Sequence, residues 1–252
     1  MHGGQAEEPS GEPAAARDGL VFGAHWGFLT FFAGLGGYHL AGLLLTVLVS
    51  GRVDEFDPLE LPELGPVILL AFLPNVLLGL APVAGSRIWG NGLRADFGIL
   101  PDLRDLKIGL ACGGFALLVG YLLNLVLLGV YGTERMEQNP LTELAGGIGD
   151  NAGWLVLAAL VVVLAAPLTE EILVRGALWN GLERHRVPPW VILVLTALVF
   201  AYIHSEPART LALIGQGLVI GSARLITGRV GASLVAHAAN NLPPALLLFA
   251  SP

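Results

Sequence analysis

Seven apolar stretches long enough to cross a bilayer recur along the chain, at about Leu20 to Val49, Leu64 to Ala84, Ile108 to Tyr131, Trp154 to Leu182, Val187 to Ile203, Leu211 to Ile226 and Gly231 to Ala250. A chain so built must satisfy its backbone inside lipid, which leaves helices as the way to span it. The sequence therefore predicts an all-α fold, a polytopic transmembrane helical bundle of about seven spans. Composition agrees: 54% of the 252 residues are hydrophobic and only 13% are charged, against roughly 25% charged in soluble domains.

The fourth stretch contains an interruption. Glu170 and Glu171, followed by Arg175, stand inside what otherwise reads as one membrane helix. Each such charge costs roughly 2.5 to 3.5 kcal/mol at a helix centre on insertion scales, so three together require partners, water or a function.

The charge balance of -7 comes from the segment before Leu20 (Glu7, Glu8, Glu12, Asp18) and from the connections, not from one acidic surface. Nothing in it favours a nucleic-acid partner. Residues 1-19 are Gly, Pro, Ala and acid rich, lack the basic start of a signal peptide, and read as a disordered tail. Distributing Lys and Arg over alternating sides puts nine on one side and three on the other, with Arg175 inside a helix. The positive-inside rule then predicts a multi-pass protein of the cell membrane with a cytoplasmic N-terminus. The acidic connections Asp54 to Glu63 and Glu134 to Asp150 fall outside.

Residues 20-150 read as an N-terminal transmembrane scaffold, with only His25 and His39 ionisable inside its spans. Within it, segment 86-107 mixes Trp89, Leu93, Phe97, Ile99, Leu100 and Leu103 with basic residues, the pattern of a segment in the cytoplasmic interface. The pairs Gly23/Gly27, Gly109/Gly113 and Gly217/Gly221 match the small-residue spacing that lets membrane helices approach. Cys112 is the single cysteine, which excludes an intrachain disulfide and a multi-cysteine metal site. No phosphate-binding loop or internal repeat stands out.

Residues 151-252 carry the chemistry. Phe200 and His204 share a helix face by i, i+4 spacing, as do His237 and Asn241, and as do Glu171 and Arg175. The last pair is placed for an internal salt bridge, which leaves Glu170, rotated about a hundred degrees away, to face a cavity. A carboxyl group there suits accepting and returning a proton. Peptide hydrolysis needs an activated water, a proton acceptor that later protonates the leaving amine, and donors for the oxyanion. Glu170 and His204 can handle the water; His237 and Asn241 can donate. Asn240 lies off that face and reads as an interhelical contact, and Pro167, one turn before Glu170, is placed to kink or widen the helix.

These three runs, Glu170-Glu171-x-x-x-Arg175, Phe200-x-x-x-His204 and His237-x-x-x-Asn241, in order on successive spans, resemble the motifs of the CPBP family, the CAAX prenyl protease and bacteriocin-processing intramembrane glutamic endopeptidases. The resemblance implies that Glu170 and His204 activate water and that His237 and Asn241 form the oxyanion site. Glu171, Arg175 and Phe200 support it. It implies a membrane-associated or prenylated peptide substrate and a mechanism without cofactor. A catalytic zinc on Glu, His, His and Asn is the less favoured arrangement, since no HExxH run is present. Two other classes use the same polar residues: an ion- or proton-coupled transporter, and a noncatalytic scaffold or immunity protein. Oligomeric state is not readable.

Overall fold

The computed structural model describes residues 20–50, 65–133, 136 and 152–249. The expected disordered tail lies outside these residues, as do the acidic connections apart from Met136. The described chain is helical: α1 Trp26–Ser50, α2 Gly65–Ile88, a short α3 Leu93–Phe97, α4 Leu103–Tyr131, α5 Ala152–Arg184, α6 Pro189–His204, α7 Thr210–Thr227 and α8 Val230–Leu247. The expected all-α membrane-type bundle is what forms.

Over its described residues, each of the seven expected apolar stretches falls largely on helix. Among the described residues, four helical stretches are long and apolar enough to cross a membrane: Trp26–Leu48, Leu103–Tyr131, Ala152–Arg184 and Pro207–Thr227. Phe72–Ile88 and Pro189–His204 are shorter apolar helices. Large apolar side chains face outward along the helices, among them Leu43, Leu44, Phe115, Leu118, Leu122, Leu211 and Leu246. Such exposure is costly in water and neutral against lipid tails.

The first apolar stretch does not begin as a helix. Leu20–Val21 and Ala24–His25 form a small antiparallel hairpin, with Phe22 and Gly23 both at positive φ in its two-residue turn. That is the backbone a tight hairpin needs, and it delays the helix to Trp26. Gly23 is therefore a turn residue rather than a packing residue, which corrects the Gly23/Gly27 reading. The other glycine pairs do pack. A Cβ on Gly109 would stand 2.7 Å from the Ala232 carbonyl oxygen, and one on Gly113 2.6 Å from that of Ala236, so α4 and α8 meet backbone to backbone. A Cβ on Gly217 would meet the Phe200 ring at 3.0 Å.

Two apolar clusters flank α5. Phe31, Leu78, Leu173, Val174 and Ile203 join α1, α2 and α6 to it, while Ala116, Phe200, Leu213, Ile220 and Ala236 join α4, α6, α7 and α8. The segment expected at the interface turns sharply: it comprises the end of α2, α3, and the start of α4. Its Phe97 is buried against Trp26 and leaves no room for a side chain at Gly176. Asp102 caps α4, accepting from the backbone N–H groups of Arg104 and Asp105, and Asp105 reciprocates to the Asp102 N–H. Buried Asp105 also accepts from Nε of Arg229 at 2.7 Å, which ties the start of α4 to the start of α8.

Candidate active site

The site is built on α5, and α5 is not a plain α-helix. Val161–Ala165 and Ile172–Leu178 are π-helical, bracketing the α-helical turns Ala166–Glu171 that carry the two glutamates. At the end of the first π segment the Ala166 N–H donates to the Val161 carbonyl, five residues back. In that register the next N–H, reaching Val162, would belong to Pro167, which has none. The Val162 carbonyl instead accepts from the Asn241 side-chain Nδ2 at 3.0 Å. So Pro167 does widen the helix, and a side chain of α8 fills the bond it leaves open. Single π turns inside helices frequently sit at functional sites.

Glu171 and Arg175 are both wholly buried and joined at 2.8 Å, Nη1 donating to Oε1. Nη2 of the same guanidinium donates to the Gly217 carbonyl, and its carbon lies 4.7 Å from the centre of the Phe200 ring. Oε1 of Glu171 also pairs with Nδ1 of His237 at 3.1 Å. The acid expected to be a support thus orients a second site residue, which spacing within one helix could not disclose.

Glu170 is the acid left unbonded. Its Oε2 is buried and accepts no hydrogen bond from the protein, and it lies 3.9 Å from Nε2 of His204 and 4.0 Å from Nε2 of His237. These are too long for direct hydrogen bonds. His204 is the last residue of α6, which ends there because Ser205 adopts a left-handed backbone. Its Nδ1 sits 2.8 Å from the Phe200 carbonyl oxygen, which can only accept, so Nδ1 carries the proton and Nε2 turns toward Glu170. Phe200 packs on both imidazoles, its ring centre 4.5 Å from that of His204 and 5.2 Å from that of His237. It joins the cation, the two histidines and the helix end in one cluster.

The structure therefore brings together Glu170, His204 and His237, with Glu171, Arg175 and Phe200 behind them. Asn241 stands on the expected face of α8 but commits one of its two N–H donors to Val162. Asn240 makes the interhelical contact read from its position, accepting from Gln216 of α7. Sequence reasoning passed over Gln216, a buried amide in an apolar helix whose need for a partner was the available signal. It also passed over Arg224, which bonds the Arg175 carbonyl and the Asn180 side chain.

A tetrahedral zinc would hold its donor atoms about 3.3 Å apart. The spacings from Glu170 to the two imidazoles are wider, and among the described residues no three His, Cys, Asp or Glu side chains stand close enough to hold an ion. The residues as placed do not fit that metal.

A helical membrane-type bundle thus carries a buried carboxylate facing two imidazoles. Residues 152–243 match the family described as Rce1-like, type II CAAX prenyl endopeptidase Rce1-like. The similarity covers that segment of the chain and upholds the resemblance read from the three motifs. The match begins with α5 and takes in most of α8. Neither the comparison with curated proteins nor that with solved structures returned a match.

Proposed function

We propose that the chain is an intramembrane endopeptidase that hydrolyses a peptide bond in a membrane-associated or lipidated peptide by a glutamate-activated water. The observation that carries this reading is the Glu170 carboxylate, whose unbonded Oε2 lies within 4.0 Å of two imidazole nitrogens. Three groups converge on a single small volume with complementary roles.

A water held there donates one hydrogen to Glu170 and the other to Nε2 of His204, whose tautomer is set by the Phe200 carbonyl. As its oxygen bonds to the scissile carbonyl carbon, Glu170 takes the first proton. The carbonyl oxygen becomes an oxyanion. His237, held through Nδ1 by Glu171, donates from Nε2–H when both ring nitrogens are protonated, and the second N–H of Asn241 is the other donor. Glu170 then passes its proton to the amine nitrogen, the C–N bond breaks, and an amine and a carboxylic acid leave, the acid keeping the water's second proton until it is lost to solvent. Two positioned donors and one acid-base group account for several orders of magnitude in rate.

No cofactor enters this scheme, and the positive-inside reading places the N-terminus in the cytoplasm. Membrane proteomics that compares wild type with Glu170→Gln tests the reading in the cell. Protein termini present with the wild type should vanish with the variant. An unchanged set of termini would count against proteolysis and would favour the transporter or scaffold class.

A further inference from the structure

We infer that Gln216 of α7 is a positioning residue that fixes which way the Asn241 amide faces. The inference rests on the proposed hydrolytic reading and adds a residue outside the three motifs. Three hydrogen bonds run in one direction across three helices. Nε2 of Gln216 donates to Oδ1 of Asn240 at 3.0 Å, Nδ2 of Asn240 donates to Oδ1 of Asn241 at 3.1 Å, and Nδ2 of Asn241 donates to the Val162 carbonyl at 3.0 Å.

Each link has only one workable polarity. The Val162 carbonyl can only accept, so Asn241 must present its NH2 to α5 and its Oδ1 to Asn240. Asn240 must then present its NH2 to Asn241 and its Oδ1 to α7. Only a donor satisfies the far end, and Gln216 supplies it. Gln216 and Asn240 are both buried, so water does not readily replace either partner. Gly120 of α4 seats the amide: a Cβ there would stand 2.7 Å from Cδ of Gln216. Linked amides polarise one another, which makes the terminal NH2 of Asn241 a better donor to developing charge. Gln216 touches no reacting atom in this account; it acts through Asn240 and Asn241.

Gln216→Glu separates this role from mere packing. The introduced carboxylate keeps the shape and accepts only, so it draws NH2 of Asn240, reverses both asparagines and sets Oδ1 of Asn241 against the Val162 carbonyl. Cleavage of a membrane-anchored peptide in liposomes should fall about tenfold to a hundredfold in kcat, with KM nearly unchanged. When the introduced carboxyl is protonated it can donate again, so the ratio of variant to wild-type rate should rise as pH falls. Gln216→Met, which has no donor at any pH, should lose rate without that recovery, and its melting temperature in detergent checks that it folds. Equal rates for Gln216→Glu and wild type across pH, or a loss identical to that of Gln216→Met at every pH, would overturn the inference. Glu170→Gln in the same assay keeps the two claims apart: if that variant still cleaves, the hydrolytic reading fails, and Gln216 loses the role built on it.

Discussion

Oε1 of Glu171 accepts from Nδ1 of His237 at 3.1 Å while accepting from Arg175 at 2.8 Å, so one oxygen joins α5 to α8 and balances the guanidinium. Its neighbour Glu170 makes no hydrogen bond through Oε2. Adjacent acids thus differ in what their loss removes.

Glu171→Ala leaves the Arg175 charge buried without its partner, a change that typically costs about 3–5 kcal/mol. Its melting temperature in detergent should fall by many degrees. Glu170→Ala should melt close to wild type and yet be inactive. Equal melting of the two variants would contradict the division between support and base.

The link between Pro167 and Asn241 can be measured as a coupling. Pro167→Ala restores a backbone N–H that can reach the Val162 carbonyl, so the Asn241 side chain is no longer its only donor. Asn241→Ala alone should destabilise by roughly 1 kcal/mol or somewhat more. In the Pro167→Ala background the same substitution should cost less. A cycle in unfolding free energy that closes to zero would show that the two positions are independent.

Acid sensitivity follows from the cap of α4. The backbone N–H of Asp105 is the main cause that holds the Asp102 carboxyl below its usual range, with the Arg104 N–H and the Arg229 and Arg104 charges adding to it. Because the folded form has the lower value, the stabilisation is full above the unfolded carboxyl range, about pH 4, and is lost as pH falls through the folded value. Asp102→Asn keeps an acceptor and removes the titration. Between pH 5 and strong acid its melting temperature should fall less steeply than that of wild type, and matching slopes would remove Asp102 from the acid response.

How much of this was legible beforehand varied with the physics involved. Long apolar runs and the i, i+4 spacing of Glu171 and Arg175 depend on local geometry, and helix and salt bridge both formed where expected. The π turns of α5 were not legible beyond Pro167. Their register depends on Asn241, nearly eighty residues later, taking the carbonyl that proline leaves. The hairpin before α1 was hidden because Leu20, Val21 and Phe22 are as apolar as the helix that follows. The Glu171–His237 bond needed the packing of α5 against α8, which small residues on α8 allow but do not announce.

Removing metal should not remove activity. The imidazole nitrogens nearest Glu170 stand wider from it than zinc donors would, so cleavage should persist after treatment with EDTA or phenanthroline. Loss on chelation, with recovery on adding zinc, would require a different mechanism.

The central claim is that Glu170 activates the attacking water, and the turnover of Glu170→Gln in liposomes tests it most directly. With a membrane-anchored peptide as substrate, kcat should drop by about two to four orders of magnitude while the protein stays folded and still binds the peptide. A kcat within tenfold of wild type would contradict the account.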